Sequence, residues 1–189
     1  MIDSSTMRVV ADSVDSHFHT LIMEEKSLPV GDILQACFDG GMAYGLDIAV
    51  SLEDFERRKD HLARFPRVYL TAGLHPSQAA RGSFSEEEAD LRRRLADPRV
   101  VALGEIGLDY YRDHGTRAEQ TELFVSQVEL ANEYEMPLIV HNREATSDIY
   151  ELFRAHPPAV ESVMHCFSAD AESARRFLDI GFSISFGGN

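Results

Sequence analysis

Short apolar runs that alternate with amphipathic stretches constrain this chain more than any other feature. Seven runs read as strands: one ending near Asp15, then Leu46 to Val50, Val68 to Ala72, Val100 to Leu103, Pro137 to Val140, Ala159 to Met164 and Phe182 to Phe186. Six helical stretches separate them. The first, over Pro29 to Phe38, places Val30, Ile33, Leu34, Cys37 and Phe38 at i, i+3, i+4, i+7 and i+8, with Gly40-Gly41 as its stop. The second runs from a Ser51 cap to Phe65, packed by Leu52, Phe55, Leu62 and Phe65. Ser85 with Glu88 and Thr116 with Glu119 read as capping boxes for helices to Ala96 and to about Tyr134. A short helix with Ile149, Leu152 and Phe153 inward, and one over Ala171 to Ile180, complete the set. Strict alternation means parallel strands with right-handed crossovers. Two architectures satisfy it, an open doubly wound sheet and a (β/α)8 barrel.

The fourth run ends in Gly104-Glu105-Ile106-Gly107-Leu108-Asp109-Tyr110-Tyr111. A run this apolar and this short is expected to be buried on both faces, as in a parallel sheet. A carboxylate at its end then needs a cation, a metal or a hydrogen-bond donor. An arginine partner would satisfy Glu105, but the rest of the chain offers imidazoles: His17, His19, His75, His141 and His165 all follow apolar runs. No GxGxxG follows the first strand, and in a barrel the carboxyl ends of the strands meet on one face, so the placement of polar groups favours the barrel.

His17-Phe18-His19 has the period-two spacing that turns both rings to one side of an extended chain. With Glu105, His141 and His165 added, one pocket would hold four imidazoles and a carboxylate. That set suits Zn²⁺, Mn²⁺ or Fe²⁺, and Mg²⁺ less naturally. It has room for two ions sharing the carboxylate, an arrangement suited to hydrolysis by activated water. His75, in Gly73-Leu74-His75-Pro76, reads either as a substrate contact or as a buried loop histidine. Asn142 and Arg143 follow His141, and an arginine there suits an anionic substrate or a salt bridge across the mouth. Asp15 and Asp109 read as groups orienting ligands, Asp15 equally as a turn residue. Tyr110 and Tyr111 either line the pocket or pack under the loop. His61, His114 and His156 read as surface.

Composition excludes some functions. The net charge of −14 argues against a protein that grips nucleic acid through a basic surface, but not against an enzyme that meets phosphates through bound metal. Cys37 and Cys166 lack CxxC spacing and sit in apolar patterns, so buried reduced thiols and a cytoplasmic setting are expected. Neither a signal-peptide core nor a membrane-length apolar run is present.

Taken together the chain resembles the TatD-type metal-dependent hydrolases (TatD-related DNases) of the amidohydrolase-like barrel superfamily. The resemblance rests on VDSHFHT (14–20), AGLHPSQA (72–79), VALGEIGLDYYRD (101–113), PLIVHNREA (137–145), SVMHCFSAD (162–170) and GFSISFGG (181–188). It implies that His17 and His19 hold one divalent ion, that His141 and His165 hold a second, and that Glu105 bridges them as the catalytic carboxylate. His75, Asn142 and Arg143 would face the substrate. The expected cofactor is a pair of Mg²⁺, Mn²⁺ or Zn²⁺ ions. The expected activity is phosphodiester hydrolysis in DNA, as a 3′ exonuclease, with nucleic acid met only as substrate. Hydrolysis of small esters or amides is the alternative.

Members of that family continue to an eighth strand bearing a Leu-Glu-Thr-Asp-like motif, whose aspartate is a further ligand. This sequence ends at Asn189, before such a segment. The expectation is therefore an α/β chain, residues 1–189, forming one TIM-type (β/α)8 domain that lacks its eighth strand and last helices. It is read first as a fragment. A second chain completing the barrel, or a non-catalytic metal-binding remnant, are the alternatives.

Overall fold

The computed structural model describes residues 9–82 and 84–187. Arg8, which leads into the first expected strand, lies outside them, as do Gly188 and Asn189. Seven strands run through one sheet: β1 (Val14–Phe18), β2 (Tyr44–Asp47), β3 (Val68–Ala72), β4 (Val100–Asp109), β5 (Leu138–Arg143), β6 (Ser162–Met164) and β7 (Phe182–Ile184). Each pairs in parallel with the next, in the order β1-β2-β3-β4-β5-β6-β7. A doubly wound sheet would reverse its order at a switch point. Sequential order curls the sheet one way, into a half-barrel.

Seven helices are described: α1 (Thr20–Glu25), α2 (Val30–Asp39), α3 (Phe55–His61), α4 (Phe84–Leu95), α5 (Arg117–Glu133), α6 (Thr146–Ala155) and α7 (Ala171–Asp179). A 3₁₀ turn follows β3 over Pro76–Arg81. The main core is the layer where the strands meet these helices, with Leu70, Leu103, Leu138, Val140 and Met164 packed on Phe55, Leu91, Phe124, Phe153 and Phe177. Because side chains alternate along a strand, Ile48, Ala102 and Ile139 form a separate small cluster on the opposite, concave face, with Leu46 and Val163 against it.

Several boundaries differ from the sequence reading, each for a local reason. The first strand begins at Val14 rather than ending near Asp15, because Asp12 takes a positive φ of 60° and its N–H bonds to the Gly41 carbonyl. The second stops at Asp47. Past it, Ala49 donates to Thr71 Oγ1 and its carbonyl accepts the Glu105 N–H, so Ile48–Val50 serve the sheet without extending the ladder. Ser51 does not cap α3, which begins only at Phe55. The four expected core residues Leu52, Phe55, Leu62 and Phe65 are nonetheless all buried. Ser85 lies inside α4 rather than at its cap. The sixth strand is three residues long, since Ala159 is held outside it by Asn132 Oδ1. The seventh stops short of Phe186, which is exposed. By contrast β3 matches its expected span, and Thr116 caps α5 in a reciprocal capping box with Glu119.

Cys37 and Cys166 are half-buried rather than buried. Among the described residues no helix is long and apolar enough to cross a membrane.

Candidate metal centre

The carboxyl ends of β1, β3, β4, β5 and β6 converge on Glu105. This residue does not end its strand, as its sequence position implied. It sits inside the ten-residue β4, at a break in the β4–β5 register between Gly104 and Ile106, and its side chain is almost wholly buried. Two glycine requirements create that geometry. A Cβ on Gly104 would stand 2.7 Å from the Ile139 Cβ. Gly107 has a φ of 143°, and a Cβ there would lie 2.0 Å from the His141 carbonyl oxygen. The Gly-Glu-x-Gly spacing of this strand thus lets β5 press close enough to bring His141 beside Glu105.

The contacts to Glu105 come from β1 and its exit on one side and from β5 on the other. His141 Nδ1 lies 2.9 Å from Oε1. His17 Nε2 and His19 Nε2 lie 3.4 and 3.7 Å from Oε2. His19 Nδ1 is fixed 3.1 Å from the Ile48 carbonyl, which leaves Nε2 to face the centre. His165 does not approach Glu105 this closely. Its ring stacks on His17 with centroids 3.2 Å apart. Among the described residues two sets have ligand atoms mutually within 4.8 Å: His17, His19 and Glu105, and His75, Glu105 and His141. The second set contains His75 where the sequence reading placed His165.

Electrostatics follow burial and these neighbours. Burial disfavours an ionised Glu105, but hydrogen bonds from His141 and His17 outweigh it and hold the carboxyl well below its ordinary range. Burial also works against a charged His141, yet Glu105 and Asp109 raise its pKa. His75 and His165 are pulled down to about 4, chiefly by desolvation, and are neutral near pH 7. Desolvation likewise lowers His19. Neutral imidazoles at His19, His75 and His165 beside an ionised carboxylate are the form in which these groups bind a cation, and a cation at His141 would displace the proton that its carboxylate neighbours favour.

The donors also fit a metal by what they lack. Among the described residues, His17 Nδ1 and His165 Nδ1 are buried with no hydrogen-bond partner, as is Asn142 Oδ1. Buried polar atoms without a partner are costly in a folded chain, and their concentration beside Glu105 is what a site that takes an ion or substrate shows.

The groups around the centre have separate contacts. Asp109 orients: its Oδ2 lies 3.3 Å from His141 Nε2, and its Oδ1 accepts the Tyr111 and Arg112 N–H groups, both at 3.0 Å. Asp15 accepts the backbone N–H of His17 at 3.1 Å. His75 Nδ1 accepts the Ser77 N–H at 3.1 Å, so the neutral ring carries its proton on Nε2. Asn142 donates to Thr146 Oγ1, and Arg143 stacks on Tyr111.

Three features escaped the sequence reading. His114, expected at the surface, is partly buried, with Nε2 3.9 Å from Asp109 Oδ2 and its ring 5.9 Å from that of His75. The six-residue α1 follows His19 directly. Beneath it lies a buried ion pair: Arg58 Nε donates to Asp47 Oδ2 at 2.6 Å, while Asp47 Oδ1 accepts both the N–H and the hydroxyl of Thr20 at 2.7 Å. Asp47 therefore caps α1 from a different strand. No local motif announces it, because its partners lie 11 and 27 residues away.

A curled parallel sheet with an imidazole–carboxylate cluster at its strand ends defines an α/β protein of TIM-barrel type with a candidate metal centre. Residues 14–189 match the family described as TatD related DNase. The chain is 35% identical over 178 residues to the Uncharacterized metal-dependent hydrolase YcfH of Escherichia coli K12, covering 93% of this chain and 66% of that protein. It is 31% identical over 161 residues to the 3'-5' ssDNA/RNA exonuclease TatD of Escherichia fergusonii, covering 83% of this chain and 60% of that one. Among solved structures, the TatD homolog YJJV of E. coli K12 superposes with a TM-score of 0.74 at 29% identity, over 92% of this chain and 67% of that one. The chain belongs to the TatD-related DNase family, and it spans about two thirds of the length of the curated relatives it matches.

Proposed function

We propose that this chain carries the metal centre of a divalent-metal-dependent hydrolase that cleaves phosphodiester bonds in nucleic acid, as a 3′ exonuclease. The observation that carries the reading is the buried carboxylate of Glu105, approached by His17 and His19 on one oxygen and by His141 on the other. His17, His19 and Glu105 would hold one ion, and Glu105 and His141 a second, with His165 beside His17. Bound ions supply Lewis acidity and lower the pKa of water.

The chain's own groups do the rest. Glu105 stays ionised despite burial and fixes the distance between the two halves of the centre. Asp109 holds His141 in orientation. His75, neutral and protonated on Nε2, offers a hydrogen bond to an oxygen of the substrate. Arg143 adds positive charge at the mouth for an anionic substrate. The nuclease name of one relative supports the choice of nucleic acid over other esters.

The test is hydrolysis of 3′- and 5′-labelled single-stranded oligonucleotides with Mg²⁺, Mn²⁺ or Zn²⁺ and with chelator, comparing the protein with Glu105→Gln. Cleavage from the 3′ end that needs metal, and that falls about 100-fold or more in the variant together with its bound metal, is expected. Turnover of small esters or amides with no cleavage of nucleic acid would overturn the reading. So would a variant that keeps both metal and activity.

A further inference from the structure

Tyr110 and Tyr111 are neighbours in sequence, yet the structure treats them differently. The hydroxyl of Tyr110 donates to Asp148 at 2.8 Å, the Arg117 guanidinium covers its ring at 4.1 Å, and the ring packs against the core. Tyr111 is 56% exposed. The Arg143 guanidinium lies 3.9 Å from its ring centroid, and that of Arg112 lies 5.5 Å away. Arg112 and Arg143 make no ion pair with a carboxylate among the described residues, although the chain carries a net charge of −14. Two unneutralised guanidinium groups around one exposed ring are therefore a local exception to an acidic protein.

The position of this group is not free to drift. One oxygen of Asp109 accepts the N–H groups of Tyr111 and Arg112, and the other faces His141. Arg143 lies two residues beyond His141 on β5, on the same side of the strand, and its backbone is in register with Asp109. The exposed ring and the metal centre thus share one carboxylate and one strand.

We propose that Tyr111, with Arg143 and Arg112 about it, is a stacking platform that seats a nucleobase of single-stranded nucleic acid at the mouth of the site. The proposal rests on the nucleic-acid reading above. An aromatic face accepts any base, and guanidinium groups beside it meet the flanking phosphates. A flexible strand can present an unstacked base to such a ring, and a duplex cannot.

The chain has no tryptophan, so Tyr111→Trp introduces a single fluorophore at the platform. The metal-loaded full chain would be titrated with a hydrolysis-resistant phosphorothioate oligothymidylate and with an abasic oligomer of the same backbone and length. The indole should be quenched by the first and little changed by the second. Tyr111→Ala should weaken oligothymidylate binding roughly 5- to 150-fold, the range for losing one stacked base. It should leave abasic binding alone, and Tyr111→Phe should bind as the parent does. Equal indole responses to both oligomers, unaltered binding by Tyr111→Ala, or no binding by the parent would overturn the platform. Because this assay reads binding without turnover, it separates the two proposals. Base-dependent binding without cleavage sinks the exonuclease reading alone. Metal-dependent cleavage indifferent to Tyr111→Ala sinks the platform alone.

Discussion

Replacing Arg58 with Met should destabilise this protein far more than its place in the charged sequence FERRKDH implies. Arg58 is only 3% exposed and Asp47 is fully buried. Besides the bond to Asp47 Oδ2, Arg58 donates to the Asp47 carbonyl at 2.6 Å and to the Thr71 carbonyl at 3.2 Å. Methionine keeps most of the aliphatic volume but leaves the Asp47 carboxylate with Thr20 alone. Removing one partner of a buried ion pair costs about 3–5 kcal/mol, because the remaining charge is stranded in a low-dielectric interior. For a chain of this length each kcal/mol lowers Tm by about 2–4 °C, which gives an expected fall of roughly 6–20 °C. The assay is thermal denaturation followed by circular dichroism, with Asp47→Asn and the double variant completing a mutant cycle. The double variant should be more stable than the sum of the two single losses allows, because neither charge is left alone. A fall of less than about 3 °C for Arg58→Met, or strict additivity in the cycle, would refute this account of the pair.

Two further outcomes follow from named contacts. Asp109→Asn removes the negative charge facing His141 Nε2, so metal affinity should drop roughly 10- to 100-fold, measured by competition with a chromophoric chelator; an unchanged affinity would show that Asp109 does not orient His141. Asp97, half-buried after α4, accepts from Lys59 and from the Arg99 N–H; burial opposes its charge, but these partners hold its pKa below the ordinary value. A carboxyl depressed on folding stabilises above its unfolded pKa of about 3.9 and loses that contribution as pH falls through the lower folded value. Asp97→Asn should therefore melt lower than the parent at pH 7, with the gap closing below about pH 4; a gap constant across that range counts against the assignment.

The parts of the fold legible in the sequence were those fixed by nearby residues. The run Val68–Ala72 is apolar enough to define β3 at its observed length, and Thr116 and Glu119 satisfy each other within one turn. The imidazoles were legible because each follows an apolar run, and sequential order carries all such ends to one rim. What the sequence hid depends on distant partners. The end of β2 is decided by Thr71 and Glu105, the start of α1 by Asp47, and the burial of Arg58 by a carboxylate on another element. His114 looked like a surface residue because nothing beside it in sequence reveals Asp109 and His75 as neighbours. The approach of His75 to Glu105 and His141 is likewise a property of loop geometry, set by the Ser77 N–H and the 3₁₀ turn after β3.

The stacked rings of His17 and His165 join the first strand to the segment after the sixth. Neighbouring strand–helix units can assemble from contacts close in sequence, but this pair forms only when the two ends of the chain meet. The half of the centre that His17 and His19 supply is therefore completed late in folding, whereas His75, Glu105 and His141 are already together once the middle strands have paired. Cation uptake by the His17 and His19 half, timed against amide protection, would thus report the moment the whole arc has curled.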